Sequence, residues 1–199
     1  MVLSNSVIFF IMSGIQYWAT FYIINILKID DKTANIYFSI TAITSPIFGA
    51  ILSGPITSCA GGMGSKAILP VTFFFSLLGI ASAIFVPVMN DALAAIGLMW
   101  LLLFFGAIIL PIQTGVLLTQ VEPEDRPTAN SLANVSYNLL GYFPAPLVYG
   151  FACDLDSSKE SRWGMMALMY VTILLPVCIV LTMCSLKKKE AVVEDESEE

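Results

Sequence analysis

The chain contains no histidine, and only 12% of its 199 residues are charged. The first absence removes the commonest general base and metal ligand. The second excludes an ordinary soluble domain, about a quarter of which is charged. Within the long apolar runs no Asp or Glu occurs at all, so an intramembrane acid–base pair or proton relay lacks its carboxylate. Cysteine is scarce too. Cys59, Cys153, Cys178 and Cys184 fall in or at the edge of apolar runs without C-x-x-C spacing, as small hydrophobes do. The net charge of −6 describes a tail, because acids crowd the final ten residues, and no basic patch offers a footprint for nucleic acid. Neither a metal nor a cofactor is expected, and an enzyme is disfavoured.

What the chain has in abundance is apolar length. It is 57% hydrophobic with mean hydropathy +0.84, which marks an integral, multi-pass membrane protein. Six runs, at about 2–27, 34–58, 66–89, 92–121, 127–152 and 163–186, are each long enough to cross ~30 Å of hydrocarbon at ~1.5 Å per residue. The fold class expected is therefore all-α, a polytopic bundle of six transmembrane helices. The first run lacks the basic start and short apolar centre of a cleaved signal peptide, so it reads as a retained span. Residues 187–199 read as a disordered acidic tail. An even number of spans puts both termini on one side, and Lys187, Lys188 and Lys189 place that side in the cytoplasm. The loop before the last span holds Asp154, Asp156, Lys159, Glu160 and Arg162.

Inside the spans, polar residues are few and patterned. Ser45, Gly49 and Ser53 form a small-xxx-small ladder that suits close helix packing. Pro111 predicts a kink in the fourth span, with Gln113 and Thr114 directly after it. The loop GPITSCAGGMGSK is rich in glycine, but no G-x-x-x-x-G-K-[ST] pattern sits between a strand and a helix, so it is not a nucleotide loop. Deep asparagines and glutamines occur only in the first, fourth and fifth spans, which predicts that the third and sixth are peripheral.

The fifth span carries the strongest pattern. Asn130, Asn134, Tyr137, Asn138 and Gly141 recur at three- and four-residue spacing, on one helical face. A bend is expected where Gly141, Pro144 and Pro146 follow. On the first span Ser13, Gln16, Tyr17 and Thr20 make a second polar stripe. An unpartnered amide in hydrocarbon costs several kcal/mol, so these faces look at protein or at a watery cavity. Two readings stay open: interhelical hydrogen-bond glue, or the wall of a solute site formed by Gln16, Tyr17, Thr20, Gln113, Asn130, Asn134 and Asn138.

The run R-x-x-A-N-S, then N-L-L-G-Y-x-P-A-P-x-x-Y-G, ending in Asp154, resembles the eleventh helix of the major facilitator superfamily, most of all its Spinster-like branch of lysolipid and sphingolipid transporters. The run G-I-Q-Y-W-A-T similarly resembles the seventh helix, which lines the cavity. The resemblance implies the second half of a twelve-helix alternating-access transporter, moving a lysolipid-like or other amphipathic solute across the plasma membrane or an endosomal or lysosomal membrane. It also implies gating or structural roles for Gly54, Gly61, Gly62, Arg126, Gly141, Pro144, Pro146 and Asp154. Gly54, Gly61 and Gly62 match the family's G-x-x-x-D-x-x-G-G loop, whereas Ser58 stands where the acid belongs, which departs from the usual charged latch. The partners implied are membrane lipid, the solute, and either an N-terminal six-helix half or a second half-size subunit. The alternative is a transport-incompetent membrane scaffold.

Overall fold

The computed structural model describes residues 1–155 and 162–198, with side chains as far as Lys187. All elements among the described residues are helical. They are α1 (Val2–Asn25), α2 (Asp31–Cys59), α3 (Ile68–Phe85) with a 3-10 turn (Val86–Val88), α4 (Ala92–Thr119), α5 (Arg126–Tyr137), a π turn (Asn138–Tyr142), α6 (Pro144–Asp154), α7 (Trp163–Tyr170), a second 3-10 turn (Val171–Ile173), and α8 (Leu174–Glu198). Five stretches are long and apolar enough to cross a membrane: Val2–Asn25, Asp31–Cys59, Ile68–Val88, Ala92–Thr119 and Trp163–Lys187. Residues 127–152, expected as the fifth span, fall in α5, the π turn and α6, a helical path with an irregular middle and not one of those five stretches. Asp156, Lys159 and Glu160 lie outside the described residues.

Helix ends follow their local chemistry. Asp30 caps α2, accepting from the backbone N–H of Thr33 at 3.0 Å. Asp91 does the same for α4 through Leu93 (3.1 Å). At the other end of α2, Gly61 N–H donates to Ser58 O and Gly62 N–H to Thr57 O, a Schellman closure in which both glycines hold φ near +90°. Both are therefore required by the turn. Arg162, at the start of α7, donates to Pro87 O (2.9 Å), Met89 O (3.0 Å) and Asn90 Oδ1 (2.8 Å), and so ties α7 to the α3–α4 connection.

α1 runs through the middle, packed against α2, α4, α5, α6, α7 and α8. Its Ile8, Ile15 and Tyr22 meet Met99 and Ile109 of α4, Tyr149 of α6 and Met165 and Leu168 of α7 in the main core. α2 packs chiefly on α4 along a seam of small residues, Thr41, Ser45, Gly49, Ser53 and Thr57, all buried and four apart. A Cβ on Gly49 would lie 2.5 Å from Phe104 O and 2.7 Å from Ala107 Cβ, so the two backbones approach as closely as glycine permits. The hydroxyls on this seam donate to their own helix, Ser45 to Thr41 O (2.8 Å) and Thr57 to Ser53 O (2.7 Å), which satisfies them without a partner across the interface.

Composition predicts the third and sixth spans to be peripheral; of the five long apolar stretches the least covered is α2, with 22% buried against 39% for Ile68–Val88, 33% for Trp163–Lys187 and 56% for α1. Its outward face is Ile36, Ile40, Ile43, Ile47 and Ile51, apolar surface that lipid solvates without cost, so the absence of amides does not rank helices by depth. The C-terminal segment, expected to be disordered, continues α8 in helical form to Glu198. Glu and Lys, which dominate it, are strong helix formers, and propensity prevails over net charge there.

Candidate functional site

The polar stripe of the fifth span is divided by the packing. Tyr137, Gly141, Ala145 and Tyr149 turn inward, and Gly141 is pressed so tightly onto α1 that an added Cβ would collide with Ser6 O and sit 3.0 Å from Phe9 Cβ and 3.1 Å from Phe10 N. Asn134 and Asn138 remain exposed, one ~100° step away, and Asn130 is half-buried. Each exposed amide donates back to its own helix: Asn134 Nδ2 to Asn130 O and Asn138 Nδ2 to Asn134 O, both 2.8 Å. Each of these amides keeps its carbonyl oxygen and a second N–H beyond that bond.

The π turn comes from the two prolines. Pro144 and Pro146 carry no N–H, so the carbonyls of Leu140 and Tyr142 lose their usual donors. Phe143 N–H reaches back to Asn138 O (2.9 Å), five residues away, which widens the helix by one residue at Asn138–Tyr142. The Tyr142 carbonyl is then met from α1 by the Ser13 hydroxyl (2.7 Å), and Trp18 Nε1 donates to Pro146 O (3.2 Å) while its ring stacks on Tyr149 with centroids 4.4 Å apart. Ser13 thus belongs to backbone satisfaction, not to an open polar face.

At the same turn the Tyr142 side chain leans over α1. Its hydroxyl donates to Gln16 Oε1 (3.2 Å), and its ring meets the Tyr17 ring edge-on at 6.3 Å. Gln16 and Tyr17 are exposed, Tyr17 at 59%, and Thr20 is half-buried. Gln16, Tyr17, Tyr142, Asn138 and Asn134 therefore make one neutral, partly aromatic, hydrogen-bonding face, flanked by exposed Leu139, Phe143 and Leu147. No family model matches the chain, and no curated protein does. The face stands on its own geometry.

Gln113 lies elsewhere. It is 1% exposed within the bundle, and neither of its amide atoms has a hydrogen-bond partner among the described residues. Its neighbour Thr114 instead joins a buried node in which Asn5 Nδ2 donates to Thr114 Oγ1 (3.2 Å) and Tyr137 OH (3.1 Å), linking α1, α4 and α5. Of the other glycines and charges singled out from the sequence, Gly54 has open space around it, and Arg126 and Asp154 are exposed at the two ends of the α5–α6 path. All four cysteines are free, and among the described residues no three His, Cys, Asp or Glu side chains gather where a metal could sit.

Sequence reasoning missed Asn5 and Tyr142. Asn5 sits at the start of a span, where an amide draws no notice, although it is buried. Tyr142 follows Asn138 by four residues, so extending the asparagine stripe by one more turn reaches it.

Proposed function

We propose that this chain is one six-helix half of a major-facilitator-type transporter, with α5 through α6 as its fifth span, and that it moves an amphipathic solute, lysolipid-like by resemblance, by alternating access. The observation that carries this reading is the open face of Gln16, Tyr17, Tyr142, Asn134 and Asn138 on an otherwise apolar exterior. Amides there belong against a cavity shared with a second six-helix unit, on the same chain or on another subunit. The absence of fixed charge from this face suits a neutral or amphipathic polar group. The irregular helix beside it, with a π turn and two prolines, supplies a place to bend. The tail faces the cytoplasm and the membrane is plasma or endosomal–lysosomal in this reading. The second reading is a scaffold that moves nothing; it is favoured by the asparagine amides bonding inside their own helix, which lowers their cost in any surroundings.

Cysteine accessibility in the native membrane separates the two. With the four native cysteines replaced, Asn134→Cys and Asn138→Cys are expected to react with a membrane-impermeant thiol reagent from each face in turn as solute is added or removed, at least tenfold faster than Leu139→Cys. Equal inertness at all three positions refutes the cavity. Labelling from one face only, whatever the solute, leaves the scaffold.

A further inference from the structure

Glutamine can present either end of its amide, and what a site selects depends on which end is free. In this chain the carbonyl end of Gln16 is occupied by the Tyr142 hydroxyl at 3.2 Å. Tyr142 is itself held at two other points: its backbone carbonyl accepts from Ser13 at 2.7 Å, and its ring rests edge-on against Tyr17. The π turn at Asn138–Tyr142, a consequence of the prolines that follow, leans the phenol over α1 at this level. Three independent contacts therefore fix a hydroxyl onto one atom of an exposed amide.

We infer that Tyr142 is a specificity-determining residue of the proposed solute site: by taking the Gln16 carbonyl it turns the Gln16 NH2 group outward, so that this end of the face selects solutes carrying a hydrogen-bond acceptor. The asparagine end is less one-sided, because Asn134 and Asn138 each commit one N–H, to Asn130 O and Asn134 O, and keep a second N–H and the carbonyl. The inference rests on the reading of this face as solute-facing.

The chain has three glutamines, Gln16, Gln113 and Gln120, so glutamine-selective 15N labelling in lipid nanodiscs gives three side-chain amide signals, assignable by single replacement. The probes are N,N-dimethyloctanamide, whose head only accepts, and octylammonium, whose head only donates. In the native chain the Gln16 NH2 signal is expected to shift saturably with the amide probe and little with the ammonium probe. Tyr142→Phe keeps the ring and the Ser13 bond but frees the Gln16 carbonyl, and should cut the preference between the two probes roughly five- to tenfold, the effect of one ordinary hydrogen bond. Unmoved Gln113 and Gln120 signals certify that the variant is folded. A preference unchanged within twofold in Tyr142→Phe, with Gln16 still responding, overturns the role of Tyr142 alone. A Gln16 signal that ignores both probes in the native chain overturns the solute-facing reading as well.

Discussion

Gly141→Ala is the sharpest test of how the fifth span is seated. The new methyl would overlap Ser6 O and crowd Phe9 Cβ at 3.0 Å and Phe10 N at 3.1 Å. Two of those three atoms are α1 backbone, which cannot rotate away as a side-chain tip can, so α1 and the π turn must separate until ordinary contact near ~3.5 Å returns. Overpacking of this kind costs ~1–3 kcal/mol, and a backbone neighbour puts it at the top of that range. Replacing a helical glycine by alanine returns up to about 1 kcal/mol, leaving a net loss of roughly 2 kcal/mol, or about thirtyfold in the folding equilibrium. Gly150→Ala, further along the same path in α6 and with nothing within 4 Å of its Cβ, provides the control and should gain ~0.5–1 kcal/mol. Reversible SDS titration in mixed micelles, followed by far-UV circular dichroism, measures both. Opposite signs are expected. If the two variants shift together, or Gly141→Ala is neutral, the close seat of this span on α1 is wrong.

Two further outcomes follow from the caps and the freed carbonyl. Ser13→Ala strips the hydroxyl donor from the Tyr142 carbonyl and should destabilise by about 1–3 kcal/mol, whereas in a Pro146→Ala background, where residue 146 regains its N–H, the same change should cost far less; additive effects in that double-mutant cycle would contradict the account of the π turn. The Asp30 carboxyl is held below its ordinary range chiefly by the Thr33 backbone N–H. A lowered folded-state pKa means that the cap contributes above the unfolded value near ~3.9 and is lost as pH falls through the folded value, so the Thr33 amide resonance should titrate with a midpoint below that of an ordinary aspartate in the native chain and stay flat in Asp30→Asn.

The helical course of this chain was legible because charge punctuates it. Lys28 to Lys32 sits where α1 gives way to α2, and the glycine pair that closes α2 stands in the loop read as a break. The seam of α2 was visible as Ser45, Gly49 and Ser53, three of its five members. Direction was not legible. Periodicity puts Asn134, Tyr137, Asn138 and Gly141 on one face, but one step around the helix decides which of them touches α1, and glycine wins that place because only it lets the backbones meet. Gln113 shows the converse: an amide after a kink resembles a cavity residue in sequence, and the fold buries it. The π turn shifts the phase of everything after residue 138, which no fixed 100° wheel anticipates.

The α2 seam has one more consequence. Small residues repeated every four positions look alike to the helix they face, so a slip of one turn, ~6 Å, would present nearly the same surface to α4. Two marks index the alignment. Serine cannot replace Gly49 opposite Phe104 O without a clash, and Trp100 Nε1 finds the Thr44 hydroxyl at 2.8 Å only in the observed register. A helix that is loosely covered is thus keyed like a ratchet with a single permitted notch.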